Sequence, residues 1–405
     1  MAITTPAGHG ATTDPYRVFF PLGILMGIAG VSIWPLFHWG VTSGYSGQSH
    51  AFIQTNCFLY AFIVGFLWTA VPRFTGTNAP GRAVQYFLAA ILIAELIAFE
   101  LYYFTAGHVL FVIAHVTFVA VVINCFLQRQ HPPPETFVFV GLGLMAGLAA
   151  SVINAASALT WISPAWQLPG KRLLTEGMVL LLVLGVGGFL GPRLLGFAQL
   201  PNFQNLEKLS DRKAVSWLLK WRSGFNAVCG LFLVASVVVE YGWNYTFVVW
   251  LRAVITTAVA LVNVQPWRLP TTRTTLAWCV WVAHWLLIAS LWLVAVFENN
   301  HIDFLHVMFM GAFTLLILAV GTRVVLSHGG YTLTEERRSW PLRIGLTATL
   351  IAISARLSAI IASTPHSYFS HLAWAAIVWI AGIGLWGIYL FRRIWIHQRG
   401  TERGT

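Results

Sequence analysis

TFVFVGLGLMAGLAASVINAASALT, residues 136–160, carries no charged side chain along its whole length. Wound as an α-helix at 1.5 Å per residue it is longer than the roughly 30 Å hydrocarbon core of a bilayer. Comparable runs lie on either side of it, near 18–38, 50–72, 84–104, 108–128, 173–191, 223–240, 246–264, 274–296, 302–326, 341–362 and 369–391. Twelve such segments predict an all-α polytopic membrane protein, a bundle of about 12 transmembrane helices.

Composition agrees with that reading. Of the 405 residues 58% are hydrophobic and 9% are charged, whereas a soluble domain carries about 25% charged residues. The net charge of +11 would suit a nucleic-acid binder, but its placement points to lipid and excludes nucleic acid as the partner. With the N-terminus placed in the cytoplasm, Lys and Arg collect in the cytoplasmic tails and loops, and the opposite face holds only Lys171 and Arg172. That asymmetry predicts an N-in, C-in orientation and an even number of spans. Trp39, Trp161, Trp166, Trp243, Trp267 and Trp340 fall near segment ends, as in an aromatic belt.

The whole chain, 1–405, reads as a single membrane domain. The longest connection, 192–222, divides it into six-span halves of about 1–191 and 223–405. Within that cytoplasmic loop, Glu207 to Arg222 mixes Trp217, Leu218, Leu219 and Trp221 with basic residues and predicts a helix lying flat on the inner leaflet. The N-terminal tail has no basic n-region or cleavage site, so the first apolar run reads as a retained helix. Cys57, Cys125, Cys229 and Cys279 are scattered within apolar runs, and neither C-x-x-C nor C-x-x-C-H occurs.

Sorted by depth, the histidines are uneven. His38, His50, His108, His115, His301, His306, His366 and His371 fall on or near the outer helix ends, and His284 sits mid-span. Imidazole is the usual protein ligand for haem iron and copper, and ionisable groups inside a membrane point to function. His50 and His306 both open a span at the outer surface, so they meet if the second and tenth spans are neighbours. His108 and His115 share one helix face, and His306 lies an α-helical i, i+4 step from Met310. His306 and His328 occupy opposite ends of one span and cannot share a site. Arg252 and Arg356 lie inside spans at the depth of Glu95 and Glu100. Two readings follow for these arginines: an ion-pair network, or guanidinium forks that hold haem propionates.

Two stretches carry a resemblance. His50 to Gly76, HAFIQTNCFLYAFIVGFLWTAVPRFTG, resembles the second span of NnrS-type proteins. His306 to Gly330, HVMFMGAFTLLILAVGTRVVLSHGG, resembles that family's tenth span. The segment around His284, WVAHWLLIASLW, is similar to the ninth. The resemblance implies a bacterial inner-membrane protein carrying b-type haem and copper, linked to nitric oxide and nitrosative stress. It places family histidines at His50, His284, His306 and His328, with Arg323 at a family T-R pair. His50, His284 and His306 become the expected metal ligands, with Arg252 and Arg356 beside the cofactor. The family start is H-x-H-E, whereas this chain has Phe52 and Ile53 in place of the second His and the Glu. Those departures weigh against copper and leave haem b.

The resulting expectation is a haem-binding membrane protein of nitrogen-oxide metabolism, handling or detoxifying nitric oxide, whose reaction as an oxidoreductase is open. A haem-copper oxidase subunit would show an adjacent His-His pair, and none occurs. The remaining alternatives are a non-catalytic membrane subunit of a respiratory complex and a secondary transporter. A transporter of the major facilitator layout would carry an acidic, arginine-rich loop between spans two and three, where this chain reads PRFTGTNAPGRA.

Overall fold

The computed structural model describes residues 14–197, 212–242 and 245–395. Among them there is no strand, and twelve helices are long and apolar enough to cross a membrane. In chain order these are α1 (Tyr16–His38), α2 (Gly47–Thr75), α3 (Arg82–Glu100), α4 (Phe104–Leu127), α5 (Phe137–Ala158) and α6 (Pro164–Leu194). They continue as α7 (Arg212–Val239), α8 (Tyr245–Asn263), α9 (Thr275–Val296), α10 (Glu298–His328), α11 (Glu335–Ile361) and α12 (Pro365–Trp395). Successive helices run in opposite directions. One face of the bundle carries the basic loops, and the other carries most of the histidines.

Packing follows a rule that repeats three times. In each set of four consecutive helices, the first packs on the second and third, and the fourth packs on the second and third. The sets α1–α4, α5–α8 and α9–α12 join through α4 with α5 and α8 with α9, and α12 closes the ring on α1. The second helix of each set lies innermost. Of the most apolar stretch, 72% in α2, 78% in α6 and 61% in α10 is buried, against 33–56% in the other nine. The packing also crosses the expected six-plus-six boundary, because α5 and α6 pack against α7 and α6 packs against α8.

The three inner helices share a local feature. Each begins with a short helical segment near the histidine face and then passes through one stretch of π-helix, at Ile53–Leu59, Leu173–Val179 and Val307–Phe313. A π-turn interrupts the i→i−4 ladder and re-aims the side chains above it relative to those below. The repeat is also written in sequence. Ile53 and Leu173, Pro72 and Pro192, Arg73 and Arg193, and Gly76 and Gly196 all stand 120 positions apart. Gly76 and Gly196 both take a left-handed conformation just past the helix end, with φ of 74° and 79°, the backbone state that glycine adopts without strain.

One expectation needs correction. Residues 207–211 of the expected surface helix lie outside the described residues, but from Ser216 the chain is already inside α7. Trp217 and Trp221 face outward while Leu219 and Arg222 are buried. The Arg222 guanidinium pairs with Glu135 at 2.9 Å and donates to Asn263 Oδ1 at 3.0 Å. Asn263 Nδ2 in turn donates to Asn226 Oδ1 at 2.8 Å. Polar groups buried together satisfy one another, so this charge ties α5, α7 and α8 together rather than resting in a loop.

Candidate functional site

The three histidines singled out from sequence share one hydrogen-bonding pattern. His50 Nδ1 lies 2.7 Å from the carbonyl of Gly30, His284 Nδ1 2.7 Å from that of Val280, and His306 Nδ1 2.7 Å from that of Ile302. A carbonyl can only accept, so each Nδ1 carries the proton and donates it. In the neutral ring Nε2 is then a bare lone pair, the arrangement by which a metal-ligating imidazole is oriented by its other nitrogen. None of the three Nε2 atoms has a hydrogen-bond partner among the described residues.

Five other histidines are placed differently. His115 Nε2 is 3.0 Å from the Leu144 carbonyl, so Nε2 donates and Nδ1 accepts from the Tyr60 hydroxyl at 3.1 Å. His328 Nε2 accepts from Arg73 at 2.9 Å near the basic face. His371 is 2.7 Å from the Ser358 hydroxyl, and the rings of His38 and His366 lie tilted with centroids 4.9 Å apart. The histidine face is therefore not one cluster.

His50 of α2 and His306 of α10 lie on the same side of the bundle, within electrostatic reach of each other. His306 lies within electrostatic reach of His50, Arg356 and Lys171, and His50 within reach of the same two cations. Both residues are half-buried. Lys171 stands just before the π-turn of α6. Each inner helix thus contributes one basic residue where the three helices converge. Sequence reading had counted Lys171 only as a loop charge, and no motif marked it. Its position one residue from the counterpart of His50 in the 120-residue repeat is the signal that could have found it.

The two arginines divide. Arg356 pairs with Asp303 at 2.7 Å, one turn before His306, so it belongs to the convergent site and not to Glu95 or Glu100. Arg252 sits elsewhere. Its guanidinium is held by Glu176, by Glu240 at 2.6 Å and by the Ser236 hydroxyl at 3.2 Å, and Glu240 also contacts Arg172. Here the ion-pair reading of the sequence describes the contacts. Arg323 pairs with Glu336 at 2.7 Å beside the basic face, which with His328 makes the far end of α10 an interhelical anchor. Met310 lies inside the π-turn, so the α-helical step expected to stack it under His306 does not apply.

His284 stands apart in the bundle centre. It borders a cavity of about 120 Å³ between α2, α6, α9 and α10, lined by Leu59, Phe66, Val183, Phe313 and Ile317 among others. Among the described residues His284 is the only polar side chain lining it. Gly187 and Gly191 make room for the ring: a Cβ at Gly187 would stand 3.1 Å from His284 Nε2. Such a cavity suits a small apolar molecule offered one nitrogen lone pair.

Among the described residues no three His, Cys, Asp or Glu side chains group to hold a metal ion. Phe52 stacks on Phe99 and meets His108 edge-on, and Ile53 packs where Gly30 leaves room. The sequence profile of the NnrS protein family matches residues 11–397. The chain belongs to the NnrS family. The match extends the two motifs of α2 and α10 to nearly the whole chain, all three four-helix sets included. No curated protein matches it.

Proposed function

We propose that this NnrS-family protein is a haem-binding membrane protein that handles nitric oxide. The observation that supports the reading is the shared state of His50 and His306. Two imidazoles on adjacent inner helices each have Nδ1 fixed by a carbonyl and Nε2 bare, next to Arg356 and Lys171. His50 or His306 would hold the iron of a b-type haem through its bare Nε2, and Arg356 and Lys171 would match the propionates. When bound, the haem would supply an iron centre that exchanges electrons or takes up a diatomic ligand. The chain's own residues orient the ligands and match the carboxylate charge, and the apolar cavity at His284 offers a place for a small apolar molecule.

Copper is not included, because apolar packing occupies positions 52 and 53. Arg252 is likewise left out of the haem site, its charge already met by two carboxylates. The basic face is assigned to the cytoplasm of a bacterial inner membrane and the histidine face to the opposite side. Small, apolar nitric oxide partitions into lipid and can reach the cavity from the bilayer.

Purified full-length protein in detergent should show a Soret band with the stoichiometry of at least one b-haem per chain, and nitric oxide should shift it. Protein that folds fully without haem, and takes none up when reconstituted, would return the case to a transporter.

A further inference from the structure

The interface between α2, α3 and α4 holds a column of buried polar side chains that the haem reading leaves unused. Reading inward from the histidine face, the first layer is Phe52, Phe99 and His108, with the imidazole 4.5 Å and 5.4 Å from the two rings. One turn further along α2 and α3 lie Asn56 and Glu95, close enough to interact. Beneath them Tyr60 bonds His115, whose other nitrogen is fixed by Leu144.

The middle of this column gathers several such groups in one place. Asn56, Glu95 and His108 are at most 1% exposed. Yet both amide atoms of Asn56, both carboxyl oxygens of Glu95 and both ring nitrogens of His108 lack a hydrogen-bond partner of good geometry. Buried polar groups are ordinarily paired, and a cluster of exceptions calls for a reason. Among the described residues no ion pair forms at Glu95. Its neighbours on α2 are Asn56, Cys57 and Tyr60, α4 carries His108 against Phe52 and Phe99 and His115 against Tyr60, and α1 has no titratable side chain between Arg17 and His38. Glu100, half-buried at the end of α3, lies within reach of the same Cys57 and marks the rim.

A carboxylate withdrawn from water and left without a cation is strongly disfavoured, so the stable form of such a group carries a proton. A cage built to keep it there permanently would pair its atoms, whereas this one leaves donors and acceptors free to rearrange. We propose that Glu95 is a proton-binding site, with Asn56 as its polar partner and with His108 and Glu100 as the route to the histidine face. The step moves one proton and no electrons: it arrives through Glu100 or His108, rests on a Glu95 oxygen and leaves the same way. Tyr60 and His115 close the lower end. With Nε2 of His115 committed to a carbonyl, the column stops there and does not cross the membrane.

Infrared spectra of the full-length protein in lipid, taken with and without haem, test this directly. The expected result is a carbonyl stretch of an un-ionised carboxylic acid that moves to lower frequency in D2O. It should be lost in Glu95→Gln, and in Asn56→Leu it should move to higher frequency as its polar neighbour is removed. His108→Phe should slow the D2O shift several-fold. If Glu95→Gln fails to fold, the Asn56→Leu shift decides. The proposal is overturned if no such band exists, if the band is unmoved in Asn56→Leu or survives Glu95→Gln, or if D2O never reaches it. Because the band belongs to a side chain that is not among the proposed haem-holding residues, it should persist in haem-free protein, which separates this test from the haem assignment.

Discussion

The first and second four-helix sets have the same plan and treat their buried charges in opposite ways. In the second set Glu176 of α6 meets Arg252 of α8, Arg252 meets Glu240 of α7, and Glu240 meets Arg172. At the place of Glu176, 120 positions earlier, the first set has Asn56, whose neighbours Glu95 and His108 find no opposite charge. One architectural position therefore serves as a structural lock in one unit and as a set of unpaired, exchangeable groups in the other. A repeated fold can hold a site in one copy because another copy supplies the rigidity.

That contrast can be broken first at Arg252. Arg252→Leu leaves Glu176 buried without a cation and Glu240 with Arg172 alone, and should cost about 3–5 kcal/mol, seen as a large drop in the thermal unfolding midpoint and in membrane protein level. Adding Glu176→Leu should recover much of the loss. The helix ends give the next largest difference. Alanine at either left-handed glycine costs about 1–2 kcal/mol in backbone strain. At Gly76 a new Cβ meets only the Gln130 side chain at 3.2 Å, whereas at Gly196 it meets Thr272 side-chain and backbone atoms at 2.5–3.0 Å. Gly196→Ala should therefore lower the unfolding midpoint more than Gly76→Ala. The smallest effect is expected at Glu95. Glu95→Gln keeps the shape and removes no ion pair, so stability should change by less than about 1 kcal/mol. A loss at Glu95 as large as that at Arg252 would erase the distinction between the two units.

Much of this was legible in the sequence, for reasons that differ by residue. Twelve spans follow from run length because lipid demands helices of that length and internally satisfied backbone. His50 and His306 were visible because each opens a motif at a helix end. The threefold plan was hidden, since only Pro-Arg-x-x-Gly at 72–76 and 192–196 preserves it in letters and the long 192–222 connection invites a division into halves. The π-turns cannot be read from hydropathy, and without them Met310 seems to lie under His306. Arg252 and Arg356 look alike as intramembrane arginines. What separates them is their carboxylates: Glu176 and Glu240 lie 76 and 12 positions from Arg252, and Asp303 lies 53 positions from Arg356, on elements whose adjacency only the packing reveals.

The central claim is that the haem is held at His50 and His306, and not at His284. Optical spectra of His50→Ala, His306→Ala and His284→Ala, each normalised to folded protein, test it most directly. The account predicts that the first two lose or grossly alter the Soret band, and that His284→Ala keeps it while changing its response to nitric oxide. A haem content and spectrum unchanged in both His50→Ala and His306→Ala would contradict it.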